Sequence, residues 1–389
     1  MSRPLFLQPS HEPCENTTVR HTRYDTILVI VFTILSAILY FIPTGFEGAQ
    51  PTNAVRVRGK IVQVNNDDVQ QLGMLKKGHQ EVVVQILEGQ HKGETHSSTN
   101  QLLGRLDLDK IYTVGDTALV VLTEDQNGAI TFVNAQDHYR LGLELLLLGL
   151  FAVLLIAFAG WTGLKALLSF VFAALLLWKG LVPCMLNGYD PIWLSLGVIA
   201  LLTAVVIFLV AGVTRKGVAA FAGAFLGVLT SCLMAWYFTY KFHVHGAVMP
   251  FAETLLYSGF GHLDLAKIYI AAVFIAASGA VMDLAMDVAA SMHEVVEKKP
   301  DISRYEALKS GIRVGRAVVG TMTTTLLLAY SGGFITLLMA FMAQGIPLAN
   351  MFNLIYVAAE VLKTIVGSFG LVTVAPFTAV VGAFLFVRK

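Results

Sequence analysis

Apolar positions in this chain fall in long unbroken runs rather than in stripes. The first run covers residues 26–43 (TILVIVFTILSAILYFIP), and others lie at about 141–160, 164–186, 191–213, 217–240, 265–286, 317–341 and 364–387. Runs of about 20 residues, at 1.5 Å rise each, match the ~30 Å hydrocarbon layer of a bilayer. An amphipathic helix of a water-soluble protein would keep a polar face. The pattern therefore predicts a polytopic α-helical membrane protein with about eight transmembrane helices. The first run exceeds the roughly 7–15 residues of a secretory signal core, and no small-x-small cleavage site follows it. It is read as an uncleaved anchor over 26–44, after an N-terminal tail at 1–25.

Residues 45–138 break the pattern. Val55–Val64, Glu81–Leu87, Thr117–Leu122 and Ile130–Val133 alternate as strands do, between Gly-Asp, Lys-Gly and Asn-Gly turns, and GQHKGET around Gly93 reads as a hairpin. Four or five short strands in about 90 residues predict a small β-barrel-like, OB-like domain between the first two membrane helices. It has no aromatic stacking platform and no basic stripe, so nucleic acid is not an expected partner. The bundle at 139–389 is expected to hold about seven helices and a charged cytoplasmic loop at 287–316. Residues 242–264 read as an outer loop. Residues 346–363 read as a helix lying along the outer surface, with a bend near Gly367 and Gly370 before the last crossing.

Composition agrees with this picture: 56% of residues are hydrophobic and 14% charged, against roughly 25% charged in a soluble domain. The net charge of +1 decides nothing, but its distribution does. The tails and one set of loops hold Arg3, Arg20, Arg23, Lys165, Arg215, Lys216, Lys298, Lys299, Arg304, Lys309, Arg313, Arg316, Arg388 and Lys389, whereas the opposite set holds only Lys179, Lys241, Lys267 and Lys363. Basic loops stay in the cytoplasm, which places both tails there and the β domain outside. Cys14, Cys184 and Cys232 form no CxxC pair and imply neither a disulfide framework nor a metal site.

Most runs are Leu-, Ala- and Val-rich, but 278–294 (SGAVMDLAMDVAASMHE) is not. Asp283 and Asp287 are four residues apart, one turn along a single helix face. A carboxylate at bilayer depth costs at least ~2.5 kcal/mol, so Asp283 requires a partner, water or a proton. That is the profile of a proton-relay site; the plainer alternative for Asp287 is an ion pair at the mouth of the next helix. The next run opens with Arg316, followed by Thr321, Thr323, Thr324 and Thr325. Threonines in a membrane helix bond to their own backbone or across to a neighbour. Beside a helix with two aspartates, a polar seam between the two is the better reading. Lys309, Arg313 and Arg316 recur on one face suited to an anionic leaflet, or serve only as a solvated surface. Glu360 and Lys363 are expected to pair on the outer side. His243 and His245, with His262 and Glu253 nearby, lack a recognisable ligand spacing, so no metal and no cofactor is expected. No Ser-His pairing, P-loop or dinucleotide signature is present, and an enzyme is not expected.

The stretches GAVMDLAMDVAASMHEV, SGIRVGRAVVGTMTTTLLLAYSGG and EVLKTIVGSFGLVTVAPFTAV closely resemble the YibE/F family of bacterial multispanning membrane proteins, and the β domain fits the same family. The resemblance implies a bacterial cell membrane but little about activity. More distantly, Gly279 to Asp283, Glu294, a charged loop, then R-x4-T-x-TT at Arg316, Thr321, Thr323 and Thr324 is similar to SecD/SecF of the RND permease superfamily. There an aspartate and an arginine–threonine motif on adjacent helices serve proton-driven work. That likeness implies an ion-coupling role for Asp283, Asp287, Arg316 and the threonines, with Glu294 and Glu360 secondary. The chain departs from it in its larger helix count, small outer domain and single copy, so it implies a homo-oligomer or a paralogous membrane partner. The other reading is a non-transporting accessory protein whose outer domain binds a small solute or a protein ligand.

Overall fold

A computed structural model of the chain describes residues 18–49 and 53–387. By internal contacts it divides into a unit of 45–158 and a helical unit of 1–44 with 159–389.

The first unit holds six antiparallel strands: β1 (Ala54–Asn65), β2 (Val69–Leu72), β3 (Leu75–Ile86), β4 (Thr95–Leu103), β5 (Thr117–Glu124) and β6 (Ile130–His138). Their order is β2-β3-β1-β5-β6, with β4 on the free side of β3. The sheet curls so that β4 approaches β6, where the Ala135 amide donates to Ser98 Oγ at 3.0 Å. No ladder between β4 and β6 closes it, so a curled sheet stands where an OB-like barrel was expected. Ile61, Val82, Val84, Ile86, Val120 and Leu122 alternate inward and are almost fully buried. At the rim, Gln80 replaces an apolar plug. Its amide donates to Asn66 Oδ1 (2.8 Å) and the Tyr112 carbonyl (3.0 Å), and its Oε1 accepts from the Tyr112 amide (3.0 Å) and Asn100 (3.1 Å). Every polar atom of this buried side chain is thereby satisfied.

The helices are α1 (Thr18–Phe41), α2 (Leu141–Leu175), α3 (Val182–Leu186), α4 (Pro191–Ala211), α5 (Arg215–Lys241), α6 (Ala252–Tyr257), α7 (Leu265–Lys298), α8 (Arg304–Ser331), α9 (Ile335–Ala343), α10 (Leu348–Asn353) and α11 (Ile355–Phe386). Among the described residues, six runs are long and apolar enough to cross a membrane: Leu141–Leu186, Pro191–Ala211, Arg215–Lys241, Leu265–Lys298, Arg304–Ala343 and Ile355–Phe386. The apolar part of α1, Thr26–Phe41, is shorter. The expected break at 161–165 is instead helix, and Lys165 is buried in it. The interruption is at Gly160 alone, whose φ of +53° strains any L side chain. A π-helical turn (Leu176–Leu181) links α2 to α3 and carries Lys179, whose ammonium donates to the Ile42 carbonyl beyond α1 at 3.0 Å.

Two further expectations are corrected. The 287–316 stretch is helical except at 299–303: α7 outruns its apolar segment to Lys298, and α8 starts at Arg304 behind a capping box of Ser303 and Glu306. The basic residues after that cap are therefore in the first turns of α8, not in a loop. The break before the last crossing is at Leu354, which has extended backbone, and α11 is helical through Gly367 and Gly370. Those glycines serve packing. A Cβ on Gly370 would collide with Ser231 Oγ and lie 2.9 Å from the Gly227 carbonyl, and one on Gly367 3.2 Å from Ala277 Cβ. Helices α5, α7 and α11 thus meet at backbone distance, with α8 against α7 and α11, as small residues permit in membrane bundles.

Candidate ion-coupling face of α7 and α8

Helix α7 is the most deeply enclosed of the candidate spans, yet its burial is one-sided. Val281, Leu284, Ala285, Val288, Ala289 and Met292 are buried against the bundle. Gly279, Asp283, Asp287 and Glu294 lie on the opposite, exposed face. Asp283 stands 18 residues after Leu265 and 15 before Lys298, roughly 27 and 22 Å along the axis at 1.5 Å per residue. Among the described residues, neither Asp283 nor Asp287 makes a hydrogen bond or ion pair. The fold thus keeps the two carboxylates together on one face at mid-helix, as the spacing predicts, and gives them no counter-charge.

Packing fixes the register of α8 against α7. A Cβ on Gly311 would meet Met292 Sδ, and one on Gly315 would lie 3.8 Å from Val288 Cγ2. The helices therefore run antiparallel, with Arg316 level with Asp287 and Gly320 level with Asp283. Arg316 also faces outward and forms no ion pair among the described residues. The threonine hydroxyls do not reach α7. Thr321 donates to the Val318 carbonyl (2.9 Å), Thr323 to Val319 (3.0 Å), Thr324 to Gly320 (3.3 Å) and Thr325 to Thr321 (3.0 Å). Each is satisfied by its own helix, so no side-chain hydrogen bonds close the expected seam. What the structure brings together is an open face: two aspartates on α7, and an arginine and back-bonded threonines on α8.

Of the secondary candidates, Glu294 continues this face of α7 toward Lys298 and Glu360 lies on α11. Glu294 pairs with Lys298 at 2.8 Å in the open. Glu360 pairs with Lys363 at 3.7 Å, and the Lys363 ammonium sits 5.1 Å from the Tyr330 ring centre. Glu360 also lines an apolar cavity of about 260 Å³ with Leu327, Phe334, Leu338, Phe352 and Val361. No sequence signal joins Tyr330 to this pair across 30 residues; only the docking of α8 on α11 does. Among the described residues, no group of three His, Cys, Asp or Glu is placed to hold a metal; His262 Nε2 lies 3.2 Å from the Leu186 carbonyl.

A predominantly helical bundle with six membrane-length apolar runs and a curled sheet ahead of it defines the class: an integral membrane protein with an N-terminal β domain. Residues 147–388 match the family described as YibE/F-like protein, and residues 55–137 match the YibE/F family N-terminal domain. The chain belongs to the YibE/F family. Neither the curated proteins nor the solved structures give a match.

Proposed function

We propose that this YibE/F protein is a proton- or ion-coupled permease of the bacterial cell membrane, with Asp283 as the ion-carrying group. The observation that carries the reading is the pair of carboxylates one turn apart at mid-helix, outward-facing and without a partner among the described residues. A group so placed costs at least ~2.5 kcal/mol when charged in hydrocarbon and is relieved by taking a proton or a cation. Asp287, nearer the Lys298 end, tunes Asp283 by charge, while Arg316 and the threonines at 321, 323 and 324 complete the polar face. The motif likeness to SecD/SecF supports the same assignment from residues alone.

The topology that goes with this function has eight crossings. The Leu141–Leu186 run is 46 residues long, which at 1.5 Å each is about twice a bilayer. Gly160 is the natural turn between its two passes, and α1 is the first crossing. Both tails are then cytoplasmic, the β domain is extracytoplasmic, and the functional unit is a homo-oligomer or a complex with a paralogue. The test is proton flux into vesicles loaded with a pH dye, wild type against Asp283→Asn under an imposed gradient. Flux that vanishes in the variant supports coupling; flux that persists unchanged removes Asp283 from the mechanism.

A second reading, an accessory protein whose β domain binds a solute or protein ligand, is favoured by one observation. A cavity of about 200 Å³ in that domain is lined by Glu88, His91 and Glu124 beside Val55, Val57 and Leu122. It predicts that Asp283→Asn is silent and that loss of the β domain is not.

A further inference from the structure

We propose that two copies of this chain pack through the outward faces of α7 and α8, with Asp287 of each copy paired to Arg316 of the other. The proposal deepens the homo-oligomer reading above and rests on the membrane placement of the bundle, not on ion movement.

The argument begins with what covers each helix. The bundle buries one face of α7 and leaves Asp283 and Asp287 outside it, while α8 leaves nearly all of its apolar stretch uncovered. Lipid tails suit the exposed Leu327 and Leu328 of α8. They leave Asp283 within the apolar run and Asp287 and Arg316 at the ends of theirs without counter-charge among the described residues, which is the costly arrangement. An anionic headgroup could sit on Lys309, Arg313 and Arg316, which line a shallow groove with Tyr305 and Ile312, but it would repel the carboxylates beside them. A cation would satisfy the carboxylates and not the arginine. A second copy supplies both charges at once.

The register makes the match specific. Asp287 and Arg316 are level on neighbouring antiparallel helices, both outward, and form no ion pair among the described residues. A two-fold axis along the membrane normal keeps every residue at the same depth in both copies. It therefore brings α7 of one copy opposite α8 of the other with Asp287 level with Arg316, twice, by symmetry. An isologous contact requires this self-complementarity. Close approach is also provided for: a Cβ on Gly279 or Gly320 would meet nothing within 4 Å, and Ala276 and Ala317 are exposed on the same two helices. Small residues of this kind let membrane helices approach to backbone distance.

The test uses the full chain with two different affinity tags, co-expressed and purified in mild detergent. Wild-type copies with different tags should co-purify. Asp287→Arg alone places only arginines at the contact and Arg316→Asp alone only aspartates, so each should lose about tenfold or more of its self-association. Mixed with each other, the two variants restore both cross-copy pairs and should co-purify as wild type does; a pair formed within one copy cannot give this result. Self-association of each single variant at the wild-type level, or a mixture no better than either alone, overturns the proposal. Should a charge variant fold poorly, cross-linking decides. Gly279→Cys in one copy and Thr324→Cys in the other lie at matching depth and should form a disulfide joining the two tags. No such band, with each protein folded, overturns it. The outcomes separate from those for coupling: a dimer without proton flux keeps the interface and sinks the permease reading, and flux from a monomer does the reverse.

Discussion

Replacing Gly223 by alanine should destabilise the helical bundle, against the ordinary preference of a helix for alanine over glycine. Gly223 lies in α5 against α11, and a Cβ there would collide with Thr378 Oγ1 and lie 2.8 Å from both Thr378 Cα and Cβ. Carbon atoms rest about 3.5–4.0 Å apart, so the backbones must separate by at least ~0.7 Å. Rotating the Thr378 side chain cannot remove the contact with its own Cα. Overpacking of this kind costs ~1–3 kcal/mol, and the site's near-complete enclosure argues for the upper part of that range. Alanine returns up to about 1 kcal/mol in helix propensity. The net expectation is a loss of about 1–2 kcal/mol. Gly197 in α4 is the internal control, because a Cβ there meets nothing within 4 Å; Gly197→Ala should gain up to about 1 kcal/mol. Both are read by reversible unfolding in mixed micelles with rising SDS. A Gly223→Ala protein as stable as wild type would refute the close α5–α11 contact.

In the β domain, Gln80→Leu strands the partners of a fully buried amide, Asn66, Asn100 and the Tyr112 backbone; at about 1–3 kcal/mol for each group left unsatisfied, a loss of about 3 kcal/mol in urea unfolding is expected. His91 lies 3.0 Å from Glu94 Oε1 and 3.4 Å from Glu124 Oε1, and the hydrogen bond that its imidazolium donates to Glu94 holds it above the ordinary value of 6.5. The stability it adds is complete below that value and lost as pH rises through the raised one, so deuterium uptake at the β3–β4 turn, corrected for intrinsic rate, should increase as pH rises beyond 6.5, and His91→Gln should abolish the change. Glu94, held low chiefly by its bond to His96, works in the opposite direction and loses its contribution only as pH falls through the carboxylate range. Asp190 caps α4 through the Ile192 amide at 3.0 Å and pairs with Lys267 at 2.7 Å; Asp190→Ala should cost about 1 kcal/mol as a lost cap plus at most ~1 for the half-exposed pair, measured by the same micelle titration.

The apolar runs made the helical class legible, because twenty apolar residues admit few alternatives. Their ends were less so. The apolar run of α7 ends before Asp287, but the helix continues to Lys298, since hydrophobicity reports where lipid is and not where hydrogen bonding stops. Strand β4 (THSSTNQLL) was legible only as the far arm of a hairpin, because its inward positions are Ser98, Asn100 and Leu102, two of them polar and bonded inside the domain. Gly367 and Gly370 suggested a bend because glycine weakens a helix in isolation; here they admit α5 and α7 to the surface of α11, a tertiary reason that no local pattern carries. The aspartate pair was visible by spacing alone. That it faces away from the bundle was not, because α7 is apolar and small-residued on several sides, and only packing reveals which side is covered.

The most direct test of the coupling account is carbodiimide labelling of the full chain in membranes across a pH series, read by mass spectrometry. This reagent reacts with protonated carboxyls and reaches those in the apolar layer. The account predicts a label on Asp283 that falls as pH rises and vanishes in Asp283→Asn. No label on Asp283 at any pH, or one that does not change with pH, would contradict it.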